Sequence, residues 1–288
     1  MHLIDAHHHL WDLDVRDQDW ITGPELAPLR RSFTLRDYET EARSAGIAAS
    51  VLVQTVAVAE ETPEFLSLAA DSALVGAVVG WTDLTSPGIS DALARLRGLP
   101  GGEFLRGIRH QVQSEPDPEW LTRPEVLRGL RAVAAAGLVY DVLVQSPQLP
   151  AAIRAAAAVP ELTFVLDHLG KPPISTHTVE PWSAGLRRFA TLPNTVGKLS
   201  GLATEADWKA WAVDDLRPYA ETALEAFGPD RLMFGSDWPV CTLAARCTDV
   251  VTYTQTLTAA LNETEQAAVW SGTAGRVYGV TMPDRRVP

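Results

Sequence analysis

Residues 49–81 read ASVLVQTVAVAEETPEFLSLAADSALVGAVVGW, two short apolar runs on either side of a helix-like stretch. The runs 49–56 and 75–81 are rich in valine and have the length of buried strands. Between them, residues 62–72 predict a helix, because Pro63 suits a first helical turn. A strand, a helix and a second strand in this order predict two parallel strands joined by a right-handed crossover.

The same alternation continues along the chain in both directions from this segment. The predicted strands are His2–Ala6, Ala49–Val56, Val75–Trp81, Leu105–Gln111, Leu138–Val144, Thr163–Leu169, Thr195–Leu199 and Arg231–Gly235. The predicted helices are Thr34–Ala45, Thr62–Ser72, Ser90–Arg97, Pro124–Ala136, Pro150–Val159, Trp182–Ala190, Asp214–Phe227 and Thr242–Ala260. Asn262–Val280 predicts a further helix, and Trp11–Arg31, rich in Trp, Asp, Pro and Gly, predicts a long loop.

Eight such units that close on themselves form a (β/α)8 barrel, which usually takes about 250 residues. The chain has 288 residues, which leaves room for the long loop and the last helix. The sequence therefore predicts an α/β protein with a single (β/α)8 TIM-barrel domain over residues 1–288 and an additional C-terminal helix. A doubly wound open sheet is the competing topology.

Charge and composition exclude several classes of partner. The chain has 24 Lys and Arg against 36 Asp and Glu, a net charge of -12. This field repels phosphate backbones and anionic lipids, so neither nucleic acid nor a membrane is an expected partner. No apolar run reaches the roughly 18 residues of a membrane helix, and we expect a cytoplasmic protein. Cys241 and Cys247 are expected to be free thiols. The oligomeric state stays open, a homo-oligomer included.

Ionisable residues cluster at the carboxyl ends of the predicted strands, where a barrel carries its active site. The first strand leads into Asp5-Ala6-His7-His8-His9, and alternation points His7 and His9 to the same side. This spacing is typical of a bidentate metal-binding pair, and a hydrogen-bonded polar pair has the same spacing.

Later strands add further candidates at the same rim. They are Arg109 and His110 on the fourth strand, His168 and Lys171 on the sixth, and Asp237 on the eighth. Because Asp237 stands opposite the His-x-His of the first strand, we interpret it as a general base or metal ligand rather than a turn residue. Lys198 on the seventh strand is either a site residue or a lysine that extends out of the barrel end.

Five segments carry a resemblance to a known family. They are DAHHHLWD (5–12), GIRHQVQSEPDP (107–118), FVLDHLGKP (164–172), GKLSGLATEADW (197–208) and FGPDRLMFGSDWPVC (227–241). Together they resemble the amidohydrolase superfamily and, more closely, its sugar-lactonase branch of fuconolactonase-like and rhamnonolactonase-like enzymes. The resemblance implies that His7, His9, His168 and Asp237 match the positions that hold a metal or the hydrolytic water.

Departures from the superfamily pattern limit the expected metal content. Its two-metal members carry a bridging carboxylated Lys or a Glu on the fourth strand and a His on the fifth. Here the fourth strand offers Arg109 and His110, and the fifth reads YDVLVQ at 140–145 without a His. We therefore expect at most one divalent ion, and Zn²⁺ is the ion that we expect first. The related pyrone-dicarboxylate lactonase works without metal, so metal-free catalysis stays open.

The resemblance implies hydrolysis of a sugar-acid lactone. Asp237 would deprotonate the attacking water and return the proton to the leaving hydroxyl, and the three histidines or their metal would polarise the carbonyl. Arg109 and His110 are candidates to bind the oxyanion or the substrate's hydroxyls.

Further residues are candidates for binding the sugar ring. They are Trp11, Trp81, Lys171, Lys198 and Trp238, with Trp208 also near a strand end. The tryptophans would offer flat aromatic faces to a ring, although each of them is equally suited to packing a loop over the barrel. Two alternatives stay open: a metal-dependent decarboxylase of the same superfamily, and a non-catalytic barrel that binds a sugar acid.

Overall fold

The computed structural model describes residues 3–281, and within them eight strands form one sheet. The strands are β1 (Leu3–His8), β2 (Ile47–Val53), β3 (Val75–Gly80), β4 (Leu105–His110), β5 (Val139–Val142), β6 (Phe164–Leu166), β7 (Thr195–Leu199) and β8 (Leu232–Phe234). They follow one another in chain order, and each is parallel to the next.

Helices connect the strands, as the alternation predicts. They are α1 (Leu35–Ala45), α2 (Glu61–Ala70), α3 (Ile89–Arg97), α4 (Pro124–Ala135), α5 (Leu149–Ala158), α6 (Trp182–Ala190), α7 (Val213–Phe227) and α8 (Cys247–Leu257). The predicted terminal helix consists of α9 (Glu263–Ala267), a π-helical turn (Ala268–Gly272) and α10 (Thr273–Tyr278). The prediction for α8 began too early, because Val240–Leu243 forms a separate 3₁₀ turn.

Backbone hydrogen bonds join the last strand to the first at the carboxyl end. Asp237 donates its N–H to the carbonyl of His7 at 2.8 Å, and His9 donates its N–H to the carbonyl of Trp238 at 2.7 Å. A doubly wound sheet has two free edges and no such contact between its outer strands. The predicted (β/α)8 barrel is therefore confirmed.

The first helix shows how local sequence sets these elements. Thr34 caps α1 by accepting the backbone N–H of Asp37, and the Asp37 carboxylate accepts the N–H of Thr34 at 2.9 Å. The helix ends at Gly46, whose φ of 73° lies in the left-handed region that glycine adopts without strain. Thr34 and Asp37 therefore form a capping box at the start of this helix.

The last helix closes the amino end of the barrel. Tyr278 and Val280 are buried in one apolar cluster with inward-facing strand residues such as Ile4 and Val51. Gly76 on β3 leaves space for the side chain of Val280, since a Cβ at position 76 would lie 2.8 Å from Cγ1 of Val280. Tyr278 and Val280 are thus part of the barrel interior.

Two further findings concern the cysteines and the helices. Cys241 and Cys247 are both buried and free, as predicted. Over residues 3–281, no helix has the length and apolar character needed to span a bilayer.

Candidate active site

Four side chains converge at the carboxyl end of the barrel: His7 in β1, His9 directly after β1, His168 after β6, and Asp237 after β8. The Nε2 atoms of His7 and His9 are 3.1 Å apart. Asp237 Oδ1 lies 3.8 Å, 3.5 Å and 3.9 Å from the Nε2 atoms of His7, His9 and His168. The structure thus brings together the residues that the motifs single out as metal ligands.

Hydrogen bonds behind the rings fix which nitrogen faces the cluster. His9 donates its Nδ1–H to the carbonyl of Val53 at 2.8 Å, which leaves the lone pair of Nε2 free. His168 Nδ1 is 2.9 Å from Ser200 Oγ, so its Nε2 also faces Asp237. This arrangement, with a second-layer partner on one ring nitrogen, is typical of metal-ligating histidines.

Burial sets the charge state of the cluster. It lowers the pKa of His7 well below its ordinary range, lowers that of His9, and lowers that of His168 to about 4. For Asp237, burial alone would raise the pKa, but the nearby His168 and His9 outweigh it and lower the pKa below its ordinary value. Three neutral imidazoles and one carboxylate therefore share the site at neutral pH.

Two of the four residues have strained backbones. His168 has a φ of 51° and Asp237 a φ of 57°, both in the left-handed region that residues with a side chain rarely adopt. The prediction that the sixth strand runs to Leu169 was wrong, because Asp167–Gly170 forms a 3₁₀ turn. Such strain is concentrated at functional sites, where it directs a side chain that a regular strand would aim elsewhere.

The donor atoms suit a single divalent ion. His7, His168 and Asp237 present ligand atoms that all lie within 4.8 Å of one another. Ligands about 2.1 Å from one tetrahedral ion are separated by about 3.4 Å, close to the distances within this cluster. Imidazole nitrogens with a carboxylate are also a donor set that zinc and similar ions prefer.

Arg109 lies at the edge of the cluster. Its Nη1 is 3.3 Å from His7 Nε2 and donates to Asp167 Oδ2 at 3.1 Å. Its Nε donates to the side chain of Gln54 at 2.9 Å, and its Nη2 donates to the carbonyl of the same residue. The guanidinium is therefore fixed in place before any substrate arrives.

A cavity of about 440 Å³ opens above these residues. Its lining residues are His9, Trp20, Leu26, Thr55, Arg109, Gln111, Gln113, Ser114, Leu143, His168, Lys171, Thr204, Glu205, Trp208, Asp237, Val240 and Leu243. The volume is within the range of small-molecule sites, and the lining combines aromatic faces with convergent polar groups.

Comparison with known proteins identifies the family. A family model described as Amidohydrolase matches residues 4–280. The chain belongs to the amidohydrolase family.

Individual relatives are similar over nearly the whole chain. An L-fucono-1,5-lactonase of Burkholderia multivorans (strain ATCC 17616 / 249) is 40% identical, covering 97% of this chain and 97% of that protein. An L-fucono-1,5-lactonase of Burkholderia ambifaria is 35% identical, covering 97% and 96%. A crystal structure of a Burkholderia multivorans amidohydrolase with bound zinc has a TM-score of 0.91 at 39% identity, covering 98% of this chain and 100% of that one.

Below the cluster of His7, His9, His168 and Asp237, this amidohydrolase contains a buried charge network that sequence analysis missed. Lys198 Nζ is 2.5 Å from Asp141 Oδ2, 3.0 Å from Asp167 Oδ1 and 3.0 Å from His7 Nδ1. Burial raises the pKa of Asp141 to about 6, whereas Lys198, His7 and Arg109 overcome burial at Asp167 and hold its pKa well below the ordinary range.

Several predicted substrate-binding residues lie away from the cavity. Lys198 is fully buried, so the expectation that it contacts substrate at the rim does not match its position. Trp238 is buried against Phe33 and Tyr38, and Trp11 is buried against Phe33 with its indole N–H bonded to the carbonyl of Arg31. Neither tryptophan therefore lines the cavity above Asp237, which corrects the expectation for both, and Trp11 lines a separate cavity with Phe33.

His110 lines a neighbouring cavity, and Trp81 contacts His110 through a hydrogen bond. Trp81 donates its indole N–H to His110 Nδ1 at 3.1 Å, so Nε2 of His110 carries the proton and donates to Glu115 at 2.7 Å. The ring also stacks on Trp120, with centroids 4.2 Å apart. Both side chains are occupied in these contacts and neither lines the cavity above Asp237, where His110 was expected to bind the oxyanion or hydroxyls and Trp81 the sugar ring.

Lys171 and Trp208 do line the cavity of this amidohydrolase, and Trp20 joins them. Lys171 Nζ pairs with Glu205 at 3.2 Å. Trp20 was missed because it lies in the middle of the long loop, far from any predicted strand end. The sequence around Asp141 does indicate a buried ion pair, because a single carboxylate within an otherwise apolar strand needs a buried partner.

Proposed function

We propose that this amidohydrolase hydrolyses the lactone of a sugar acid, of the L-fucono-, L-rhamnono- or galactonolactone type, to the free acid. The observation that carries the proposal is the convergence of the Asp237 carboxylate and three neutral imidazoles at a cavity of about 440 Å³, which Asp237, His9 and His168 line and beneath which His7 is buried. The lactonase names of the two relatives that match nearly the whole chain support the same reaction.

The residues that would hold a metal are His7, His9, His168 and Asp237, and we propose Zn²⁺ as the ion. When bound, it supplies a Lewis acid that stabilises negative charge on the lactone carbonyl oxygen and makes a water more acidic. Zinc in the similar Burkholderia multivorans structure supports this choice.

Asp237 is the proposed proton carrier. Its carboxylate is ionised at neutral pH because its pKa is lowered by its histidine neighbours, with burial acting in the opposite direction. It takes a proton from the water that attacks the carbonyl carbon, and a C–O bond forms. The proton then goes to the ring oxygen as the acyl–oxygen bond breaks, which leaves a carboxylic acid and a hydroxyl and restores Asp237.

Arg109 is the proposed oxyanion partner. It lines the cavity with its guanidinium already held by Gln54 and Asp167, so no reorganisation is needed when charge develops on the substrate. For His110, which faces the neighbouring cavity, we propose a positioning role. Its bond to Glu115 at 2.7 Å fixes the turn that carries Gln111 and Gln113 into the active-site cavity.

The lining favours a neutral, hydroxylated ligand. Trp20 and Trp208 offer aromatic surface to the apolar face of a sugar ring, and Gln111, Gln113 and Thr55 offer polar groups to its hydroxyls. In the described part of the chain, the cavity's basic side chains Arg109 and Lys171 already pair with carboxylates.

This pairing also bears on the alternatives. A dicarboxylate, or the carboxylate that a decarboxylase must bind, would have to compete for these paired cations, whereas a lactone carries no charge. The decarboxylases of the superfamily also generally keep a histidine on the fifth strand. Here β5 carries Asp141, which is bonded to Lys198.

The test is a substrate panel followed by acid release with a pH indicator. L-fuconolactone, L-rhamnonolactone and galactonolactones are compared with a pyrone dicarboxylate, an aromatic carboxylate and simple amides. Sugar lactones should be turned over fastest, with kcat/KM above ~10⁴ M⁻¹ s⁻¹ for the best of them. Faster turnover of the dicarboxylate or an amide would overturn the substrate assignment, and carbon dioxide release from the aromatic acid would favour the decarboxylase.

A further inference from the structure

A second group of atoms of the kinds that bind metals lies on the other side of His7, away from the cavity, and is formed by His7, Asp141 and Asp167. His7, Asp141 and Asp167 each present one such atom, and the three atoms lie within 4.8 Å of one another. All three residues are fully buried. A histidine and two carboxylates at this spacing form a typical cation site.

The ammonium of Lys198 lies among these three groups. Its Nζ is 2.5 Å from Asp141 Oδ2, 3.0 Å from Asp167 Oδ1 and 3.0 Å from His7 Nδ1. Its side chain is itself fully buried and does not line the active-site cavity. These contacts account for Lys198 without any contact to a substrate.

The charges around this ammonium balance. Two carboxylates, Asp141 and Asp167, face two cations, Lys198 and Arg109, whose Nη1 donates to Asp167 Oδ2 at 3.1 Å. Tyr278 completes the shell of Asp141 by donating its hydroxyl, 2.8 Å from each carboxylate oxygen. Removal of one buried ion would leave its partners unpaired at a large cost in folding free energy.

The network reaches the metal-ligand cluster through one ring. His7 Nδ1 is 3.3 Å from Asp167 Oδ1, while Nε2 of the same ring faces His9 and Asp237. When Nε2 binds a metal, Nδ1 carries the proton and a carboxylate in this position accepts it. Asp167 can do so only while Lys198, 3.0 Å from its Oδ1, holds the carboxylate in place.

We propose that Lys198 is a positioning residue: its ammonium fills a buried cation site formed by the carboxylates of Asp141 and Asp167, and through Asp167 it holds His7 in the orientation that binds the catalytic metal. The site accepts an alkylammonium, because it requires a cation with N–H donors at the end of an apolar stem. This inference shares His7 with the proposed function but does not depend on the substrate.

Lys198→Ala tests the proposal, since it removes a propylammonium fragment and leaves both carboxylates in place. The protein is refolded with and without n-propylammonium chloride, and the affinity for Zn²⁺ is measured by competition with a chelator. Lys198→Ala should bind Zn²⁺ at least ~10-fold more weakly than the wild type, the scale of a lost outer-shell partner, and n-propylammonium should restore most of the loss. Tetramethylammonium, a cation without N–H donors, should restore nothing.

The matched control is the double variant Lys198→Met/Asp141→Asn, which removes one cation and one anion and fills the space of the lysine stem. It should fold in ordinary buffer and show no response to n-propylammonium. Folding of Lys198→Ala only in the presence of n-propylammonium would also support the proposal, because the added cation would then be replacing the missing ammonium.

Three results would overturn it: wild-type Zn²⁺ affinity in Lys198→Ala, equal rescue by tetramethylammonium, or a variant that no cation returns to the folded state. None of these measurements uses a lactone, so they fail or succeed independently of the proposed reaction.

Discussion

Asp237 donates its backbone N–H to the carbonyl of His7 at 2.8 Å, while its carboxylate Oδ1 lies 3.8 Å from Nε2 of the same residue. The first contact joins the two ends of the sheet, and the second belongs to the metal-ligand cluster. The same two residues therefore both close the barrel and belong to the candidate active site. The positive φ of Asp237, 57°, allows both contacts at a single residue.

Asp237→Asn should lower kcat for the best sugar lactone by at least ~100-fold, because an amide cannot carry the proton from water to the leaving oxygen. The fold should persist, since the backbone contact to His7 does not involve the side chain. Steady-state kinetics and circular dichroism check both parts. Asp214→Asn, at an exposed position in α7, is the control and should leave kcat unchanged. A variant that keeps most of its turnover would remove Asp237 from the proton path.

Metal content should not exceed one ion per chain. The cluster of His7, His9, His168 and Asp237 offers one set of converging donors, and Lys198 fills the neighbouring group of acceptors. Elemental analysis of protein purified without added metal gives the ratio directly. A chelator that removes the ion should lower the melting temperature, because an ion that binds only the folded chain stabilises it. Two tightly bound ions per chain would contradict this prediction.

The free energy of unfolding should depend on pH through the titration of Glu61. This carboxyl lies at the start of α2, where it accepts the N–H of Thr55 at 2.8 Å, and burial raises its pKa from 4.5 to about 7. A raised pKa means that the folded chain binds the proton more tightly, so its contribution is present at low pH and is lost as pH rises from 4.5 to 7.

Glu61→Gln removes this titration. Between pH 5 and pH 8 the wild type should lose about 2–3 kcal/mol of unfolding free energy more than the variant does. Urea denaturation across that range measures the difference, and buried acids such as Asp5 cancel in the comparison. Glu64→Gln, exposed on the same helix, should follow the wild-type curve. Parallel curves for wild type and Glu61→Gln would show that the carboxyl titrates normally.

Tyr278→Phe should destabilise the protein by about 1.5–3 kcal/mol, because it removes a hydrogen bond to the buried carboxylate of Asp141. Tyr219→Phe is the matched control, since its hydroxyl is 3.3 Å from a neutral acceptor, the carbonyl of Thr178. It should cost about 0.5–1.5 kcal/mol at most. Denaturant melts rank the two variants, and an equal or reversed order would show that the Asp141 contact contributes nothing beyond a neutral bond.

The limits of prediction from the sequence are visible in these same residues. Strand alternation is a local property, so it predicted the barrel and placed His7 and His9 on one face. The pairing of Lys198 with Asp141 joins residues 57 positions apart across the barrel, and no local pattern reports which buried charge meets which. Loops are harder still: Trp11 and Trp20 lie in the same loop, yet one packs beneath it and the other lines the cavity.

Trp208 should contribute to substrate affinity through its aromatic face. Its indole N–H is bonded to the carbonyl of Thr204 at 2.8 Å, which fixes a ring that lines the cavity together with Trp20. Trp208→Ala should raise KM for the best sugar lactone by about 10-fold, the equivalent of one aromatic contact of about 1.4 kcal/mol, with a smaller change in kcat.

Trp211→Ala is the matched control for this prediction. Trp211 lies three residues away and is also partly buried, but its indole N–H bonds to the carbonyl of Ala244 at 3.0 Å and its ring packs on Tyr253, outside the cavity lining. Trp211→Ala should lower the stability of the protein without a comparable rise in KM, because the ring of Trp211 does not line the cavity and so does not contact the substrate. Initial rates over a range of lactone concentrations separate KM from kcat for both variants. Equal KM values in Trp208→Ala and the wild type would mean that the sugar ring does not rest on this indole.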